Sequence, residues 1–98
     1  MTEPLRIAMT DRSGTTSGTP GTSTSLMGAN SKRQYFCVQN IHSTANLFIN
    51  FTDNATQGKG SIKLTPGQMY EPPADVCTCE QVNICSDTAS VDYTAKES

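Results

Sequence analysis

Four cysteines carry the most distinctive chemistry in this sequence: Cys37, Cys77, Cys79 and Cys85. Cys77 and Cys79 form a Cys-x-Cys pair, and in an extended segment such a pair places both thiols on one face of the chain. With Cys85 and either Cys37 or His42, the pair could supply the four ligands of a zinc ion. Structural zinc sites normally use two pairs of cysteines spaced by about two to four residues, and this chain has one tighter pair followed by irregular spacing.

Two other states are open to the same cysteines. One is an internal disulfide, for which Cys37 and Cys85 are the first pair to consider, although synthesis in a reducing cytoplasm argues against it. The other is a set of unbonded thiols that pack as small hydrophobic side chains, because free cysteine is common in protein cores. We favour the unbonded thiols, and we expect neither a metal nor another cofactor.

Catalysis by a nucleophile or by an acid–base pair has little support. The chain has one histidine, His42, in a polar segment that is predicted to be a turn, and a catalytic site needs several residues in complementary roles. The carboxylates of the C-terminal part are scattered and form no pair on one strand face: Glu71, Asp75, Glu80, Asp87, Asp92 and Glu97. We therefore expect a binding or structural protein and not an enzyme.

The composition indicates a β-protein with a largely neutral surface. Charged residues make up 16% of the chain, whereas soluble domains average about 25%. Ser and Thr together number 24, and Thr is favoured in strands. The net charge of −2 and the lack of a basic cluster argue against nucleic-acid binding. No apolar run approaches the roughly 20 residues that a membrane span needs.

The N-terminal third, residues 1–32, is predicted to be an extended arm outside the folded body, residues 33–98. In residues 10–25, thirteen of sixteen side chains belong to Ser, Thr or Gly. Such a segment has too few apolar side chains to offset about 1–2 kcal/mol of backbone entropy per ordered residue, so we expect a foreign surface to hold it. The candidate anchors to that surface are the apolar residues at its two ends: Leu5, Ile7 and Met9, which alternate as in a strand, and Leu26 with Met27.

The body alternates in the manner of short strands separated by turns. The predicted strands are residues 34–40, 46–51, 61–64, 69–71, 81–86 and 90–94, with a type II turn at Thr65-Pro66-Gly67-Gln68. The spacing favours one hairpin between the first two strands and another between the last two. No segment has the sustained period of about 3.6 residues that is typical of a helix. Six short strands at this spacing predict an antiparallel β-sandwich or a small jelly roll.

Phe48 is the aromatic residue with the least obvious place in such a body. It projects from the strand face opposite Leu47, Ile49 and Phe51. On that face it either fills a second core or forms an oligomer interface, since aromatic residues are enriched at interface centres. We favour burial and keep the interface as the alternative.

Several short runs of the body resemble a small β-domain of tailed-bacteriophage structural proteins. These runs are Arg33-Gln-Tyr-Phe-Cys-Val-Gln-Asn40, Ile49-Asn50-Phe51, Gly60-Ser-Ile-Lys-Leu64 with Pro66-Gly67, Tyr70-Glu71 and Val82-Asn83-Ile84. The resemblance covers residues 33–97. The family includes capsid decoration (cement) proteins and the anchoring parts of head fibres. The Cys77–Cys79 segment and the Ser/Thr/Gly arm depart from its pattern, and no functional residue of the family is carried over to this chain.

The resemblance implies a virion protein that is made in the host cytoplasm and lies in many copies on the outer surface of the capsid, with the major capsid protein as its partner. A small body needs neighbours for stability, so we expect a dimer or a trimer. An arm with apolar ends could bridge adjacent capsid subunits. The alternative is the attachment domain of a head fibre or a tail adaptor. A small secreted disulfide or metal protein is the third class.

Overall fold

The structure, a computed structural model, describes residues 8–73 and 76–98. In this part of the chain nine short strands form two antiparallel sheets, and there is no helix, so the all-β prediction is confirmed. None of the described residues therefore forms a helix able to cross a membrane. The strands are β1 (Thr10–Asp11), β2 (Gly14–Thr15), β3 (Thr24–Met27), β4 (Phe36–Asn40), β5 (Leu47–Asn50), β6 (Ile62–Leu64), β7 (Met69–Tyr70), β8 (Val82–Ser86) and β9 (Asp92–Glu97).

The strand order is that of a jelly roll. Sheet I has the order β1-β9-β4-β7, and β2 pairs with β9 on the same side as β1. Sheet II has the order β3-β8-β5-β6. β1 and β2 pair with β9 in one register, from Thr10 opposite Glu97 to Thr15 opposite Asp92, so they are two parts of one interrupted strand. Every connection then crosses between the sheets except the one from β5 to β6. This double-sheet arrangement of eight strands confirms the predicted sandwich and its jelly-roll form.

Residues 10–27 belong to this sandwich, so residue 32 does not separate an arm from a body. β1 and β2 form one edge of sheet I, and β3 forms one edge of sheet II. The expectation that a foreign surface must hold this segment is wrong for these residues, because β9 and β8 of the same chain pair with them. Residues 1–7 lie outside the described residues.

Short polar side chains hold the first strand where apolar ones are missing. At the interruption between β1 and β2, the Ser13 hydroxyl accepts the backbone N–H of Ala95 at 3.0 Å. Thr16 is buried, and its hydroxyl accepts a backbone N–H just before β9 at 2.9 Å. Gly14 lies so near Tyr93 that an added Cβ would come within 3.0 Å of the Tyr93 hydroxyl oxygen. Small residues thus allow this strand to lie close against β9.

Both predicted hairpins are wrong, because each connection passes from one sheet to the other. β4 lies in sheet I and β5 in sheet II, and β8 lies in sheet II and β9 in sheet I. Strand periodicity reports which residues share a face but not which strands pair. The predicted type II turn is confirmed, since Gly67 has a φ of 86° and the Gln68 N–H donates to the Thr65 carbonyl at 2.9 Å.

The main core lies between the two sheets and includes two residues that were expected to bind a partner. A β-bulge between Ser25 and Met27 in β3 directs two consecutive side chains inward. Leu26 is 7% exposed and Met27 is 2% exposed, so neither is available as a capsid anchor, and that prediction is corrected. The buried residues of this core are Leu26, Met27, Phe36, Val38, Ala45, Leu47, Ile49, Leu64, Val82, Ile84, Val91, Tyr93 and Ala95.

A second, small core lies on the outer face of sheet II. Phe48 of β5 pairs with Cys85 of β8, and both side chains are covered by Ala55 of the loop between β5 and β6. The Ala55 N–H donates to the Ser23 hydroxyl at 2.9 Å, which fixes the loop against the sheet. Phe48 is therefore buried, as favoured above, and the oligomer-interface alternative is wrong because the ring does not lie on the surface.

Candidate functional site

The four cysteines do not form a common site. Cys37 lies on the outward face of β4, whereas Cys85 lies beneath the loop on the outer face of sheet II, so the sandwich separates them. All four thiols are free. Within residues 8–73 and 76–98, no three metal-binding side chains come together. The structure thus contradicts both the Cys37–Cys85 disulfide and the zinc site formed by the cysteines.

Cys77 and Cys79 also differ from each other, because their segment is not a strand. Cys77 is half-buried against the core and Cys79 is exposed. Burial raises the pKa of the Cys77 thiol, an effect that the positive charge of Arg33 opposes, and burial also raises the pKa of Cys85. The thiolate is the reactive form of cysteine, so a raised pKa makes Cys77 and Cys85 less reactive. Cys79 is the more exposed thiol of the Cys77–Cys79 pair.

We expect Cys79 to react first in a titration of the native protein with a chromogenic disulfide reagent, and Cys85 to react only as the protein unfolds. Cys79→Ser should remove the fast phase, and Cys85→Ser, the matched control, should leave it unchanged. The denatured protein should titrate all four thiols. A fast phase from Cys85 would contradict its burial, and fewer than four thiols after denaturation would reveal a disulfide.

His42 has a structural role in the connection between the two sheets. Its Nδ1 atom accepts the backbone N–H groups of Thr44 at 3.0 Å and of Ala45 at 2.8 Å. The ring therefore organises the turn that follows β4, and the cysteines with which it could have shared a metal lie in other parts of the fold.

The most constrained polar side chain is that of Arg33. It has no exposed surface, and it donates to the backbone carbonyls of Gly28 at 2.6 Å, Thr78 at 3.1 Å and Glu80 at 2.8 Å. Its Nε donates to a carboxylate oxygen of Glu97 at 3.1 Å. The planar guanidinium fork suits such convergent acceptors, and it joins three chain segments that are distant in sequence.

Glu97 carries the opposite charge. Its side chain is 5% exposed, and besides Arg33 it accepts Arg12 Nε at 2.7 Å and Asn30 Nδ2 at 3.2 Å. Burial alone raises the pKa of Glu97, but these hydrogen bonds and the charge of Arg33 outweigh burial and hold the pKa below its ordinary value. We call Arg12, Asn30, Arg33 and Glu97 the arginine clamp. It fastens the first strand, the β3–β4 connection and the last strand at one end of the sandwich.

The arginine clamp was not predicted from the sequence, although β9 carries a signal for it. Tyr93 and Ala95 point into the core, and Glu97 continues the same period of two. A carboxylate at an inward position needs a buried cation or several hydrogen-bond donors. The identity of the cation was not predictable, because Arg33 is 64 residues away in sequence.

A cleft of about 210 Å³ opens beside the arginine clamp. One wall is the loop that follows β5, residues 51–54, and the other is formed by Glu80, Gln81 and Asn83 at the start of β8. The lining combines an aromatic ring with carboxylate and amide side chains. This site was not predicted from sequence, because the two walls come from segments whose proximity depends on the pairing of β5 with β8.

Three of the five predicted anchors are among the described residues, and of these three only Met9 lies on the surface, where it is 45% exposed. Leu5 and Ile7 lie outside the described residues, and Leu26 and Met27 are core residues. The other exposed large apolar side chains among the described residues are Ile41, Met69 and Val76.

Comparison of the chain with family models, with curated protein sequences and with solved structures gives no match.

Proposed function

We propose that this chain is a virion structural protein that decorates the outside of a phage capsid and bridges neighbouring capsid subunits. The observation that carries this proposal is the jelly-roll topology, because double-sheet jelly rolls recur in viral capsid domains. The resemblance of residues 33–97 to phage decoration and head-fibre domains supports the same class. Since a fold by itself does not determine a function, the proposal depends on a binding experiment.

Attachment would use the residues that precede the first strand. β1 lies at an edge of sheet I, and Met9 beside it is exposed. In an extended chain Leu5, Ile7 and Met9 share one face. Such a segment can add to a sheet edge of a partner through backbone hydrogen bonds, while its alternate side chains enter pockets. In this proposal the major capsid protein supplies that edge, and Leu26 and Met27 take no part.

We expect the double variant Leu5→Asp/Ile7→Asp to lose binding to purified capsids while its circular dichroism and thermal unfolding stay unchanged. The capsids come from the virus that encodes the chain and lack this protein, and co-sedimentation measures binding. Thr2→Asp/Ala8→Asp is the matched control, because it adds the same two charges to the same segment at positions outside the apolar face. Retained binding by the first variant, or equal loss by the control, would contradict the proposed anchor.

The second candidate is an attachment domain for a head fibre or a tail adaptor, which the same resemblance includes. Copy number separates the two, because decoration requires copies over the whole capsid lattice and an adaptor occupies only the sites where fibres or tails join. Quantitative mass spectrometry of purified virions measures the number of copies of this chain for each copy of the major capsid protein. A dimer or trimer remains part of the proposal, and Ile41 and Met69, which are 55% and 51% exposed, provide apolar surface for it.

A further inference from the structure

We propose that the cleft beside the arginine clamp binds a neutral saccharide. The cleft holds about 210 Å³, which is below the roughly 300–1,000 Å³ of pockets for drug-sized ligands. A site of this size suits one sugar ring at the end or side of a larger glycan. The proposal goes beyond capsid binding, because the residues that line the cleft are not those of the N-terminal anchor.

Hydrogen bonds inside the fold hold both walls of the cleft in place. Arg33 of the clamp donates to the Glu80 carbonyl at 2.8 Å, which fixes one wall. Asn83 Nδ2 of the same wall donates to the Asp53 carbonyl of the opposite wall at 2.9 Å, which joins the two walls. Gln81 Nε2 then donates to Asn83 Oδ1 at 2.7 Å, which orients the Gln81 amide. A ligand would therefore enter a largely preformed site and would not need to order the loops.

Several polar atoms of the lining remain free for a ligand. Among the described residues, no hydrogen bond engages the Glu80 carboxylate, the Oε1 atom of Gln81 or the side-chain amide of Asn54. Asp53 uses one carboxylate oxygen for the Asn54 N–H at 2.7 Å, and its second oxygen has no such partner. The free groups are thus mostly acceptors, with one amide that can also donate.

This set of groups matches the hydroxyls of a sugar. Each hydroxyl can donate one hydrogen bond and accept others, and bonds to carboxylates are about twice as strong as neutral ones. Phe51, which is partly buried against the main core, is the apolar residue of the lining. Among the described residues, no Lys or Arg side chain lines the cleft, which disfavours phosphate. The two carboxylates that these residues bring to the lining are far fewer than the roughly six to eight oxygen ligands that calcium takes.

Amide chemical shifts of the uniformly labelled full-length protein test this inference. Titration with methyl glucoside, methyl galactoside and N-acetylglucosamine in the millimolar range should shift residues 51–54 and 80–83 for at least one sugar, with a dissociation constant on the order of 1 mM. Gln81→Ala and Glu80→Gln should each weaken that binding at least about tenfold, which corresponds to roughly 1.4 kcal/mol. Both substitutions spare the backbone carbonyl that Arg33 binds.

Matched variants remove the same kinds of group elsewhere on the surface. Glu71→Gln, just after β7, and Gln39→Ala, in β4, change residues outside the cleft lining and should leave the titration unchanged. The inference is overturned if none of the three sugars shifts the cleft residues, or if Gln81→Ala and Glu80→Gln bind as well as the unmodified protein. Shifts of the same residues on addition of calcium chloride alone would identify a cation site and would also overturn it.

Discussion

A chain that lacks residues 1–27 should fail to fold, whereas a chain that lacks residues 1–7 should keep its fold. The longer deletion removes β1, β2 and β3, and with them an edge strand of each sheet. It also removes Leu26 and Met27 from the core. Truncating a buried Leu or Met to Ala costs about 2–5 kcal/mol, and the whole stability of a domain is about 5–15 kcal/mol. Amide shift dispersion and urea unfolding of both deletions measure the outcome.

A pair of methionine variants tests the same point without shortening the chain. Met27→Asp places a charge in the core and should unfold the protein, because Met27 is 2% exposed. Met9→Asp makes the same change at a residue that is 45% exposed and should leave the melting temperature nearly unchanged. A cooperatively folded product of residues 28–98, or a folded Met27→Asp variant, would restore the view that residues 1–32 are an arm separate from the body.

The N-terminal strands could not be predicted from their own composition. Residues 10–25 have too few apolar side chains to fold alone. Their composition does not show, however, that β9 offers them a free edge. Ser13 and Thr16 supply hydrogen bonds to that partner, and Gly14 permits the close approach to Tyr93. The strand is polar because it lies at an edge, and its stability comes from pairing more than from burial.

The strands of the body were predicted more accurately than the sheets that they form. Alternation placed Leu47 and Ile49 of β5 on one face and Phe48 on the other, as the structure has them, because the local sequence records which face of a strand is buried. The pairing of those strands depends on segments that are distant in sequence, and the two predicted hairpins were therefore wrong. The candidate sites followed the same rule. Glu97 was identifiable as an inward carboxylate, but its partner Arg33 and the cleft depend on tertiary contacts.

Arg33→Met should lower the free energy of unfolding strongly, although it places no charge in the core. This variant removes four hydrogen bonds and leaves three backbone carbonyls and Glu97 with fewer donors. Breaking a buried ion pair by removing one partner costs about 3–5 kcal/mol. Arg12→Met is the matched control, because Arg12 binds the same carboxylate but is 47% exposed, and such pairs contribute at most about 1 kcal/mol. Urea denaturation at pH 7 measures both variants.

The loss of stability in acid provides an independent measure of what the arginine clamp contributes to the fold. The folded protein holds the pKa of Glu97 below its ordinary value of 4.5. As the pH falls, the Glu97 carboxylate is therefore protonated in the unfolded chain before it is protonated in the folded protein. The stability that the carboxylate contributes is lost progressively below about pH 4.5. Glu97→Gln should therefore be less stable than the unmodified protein at pH 7 and should lose less stability in acid. Glu71→Gln should keep the full acid dependence.

In the Glu97→Gln background, Arg33→Met should lower the free energy of unfolding by less than it does in the unmodified protein, because the two side chains act as one unit. Equal costs in both backgrounds would show that Arg33 stabilises the fold through its backbone contacts alone.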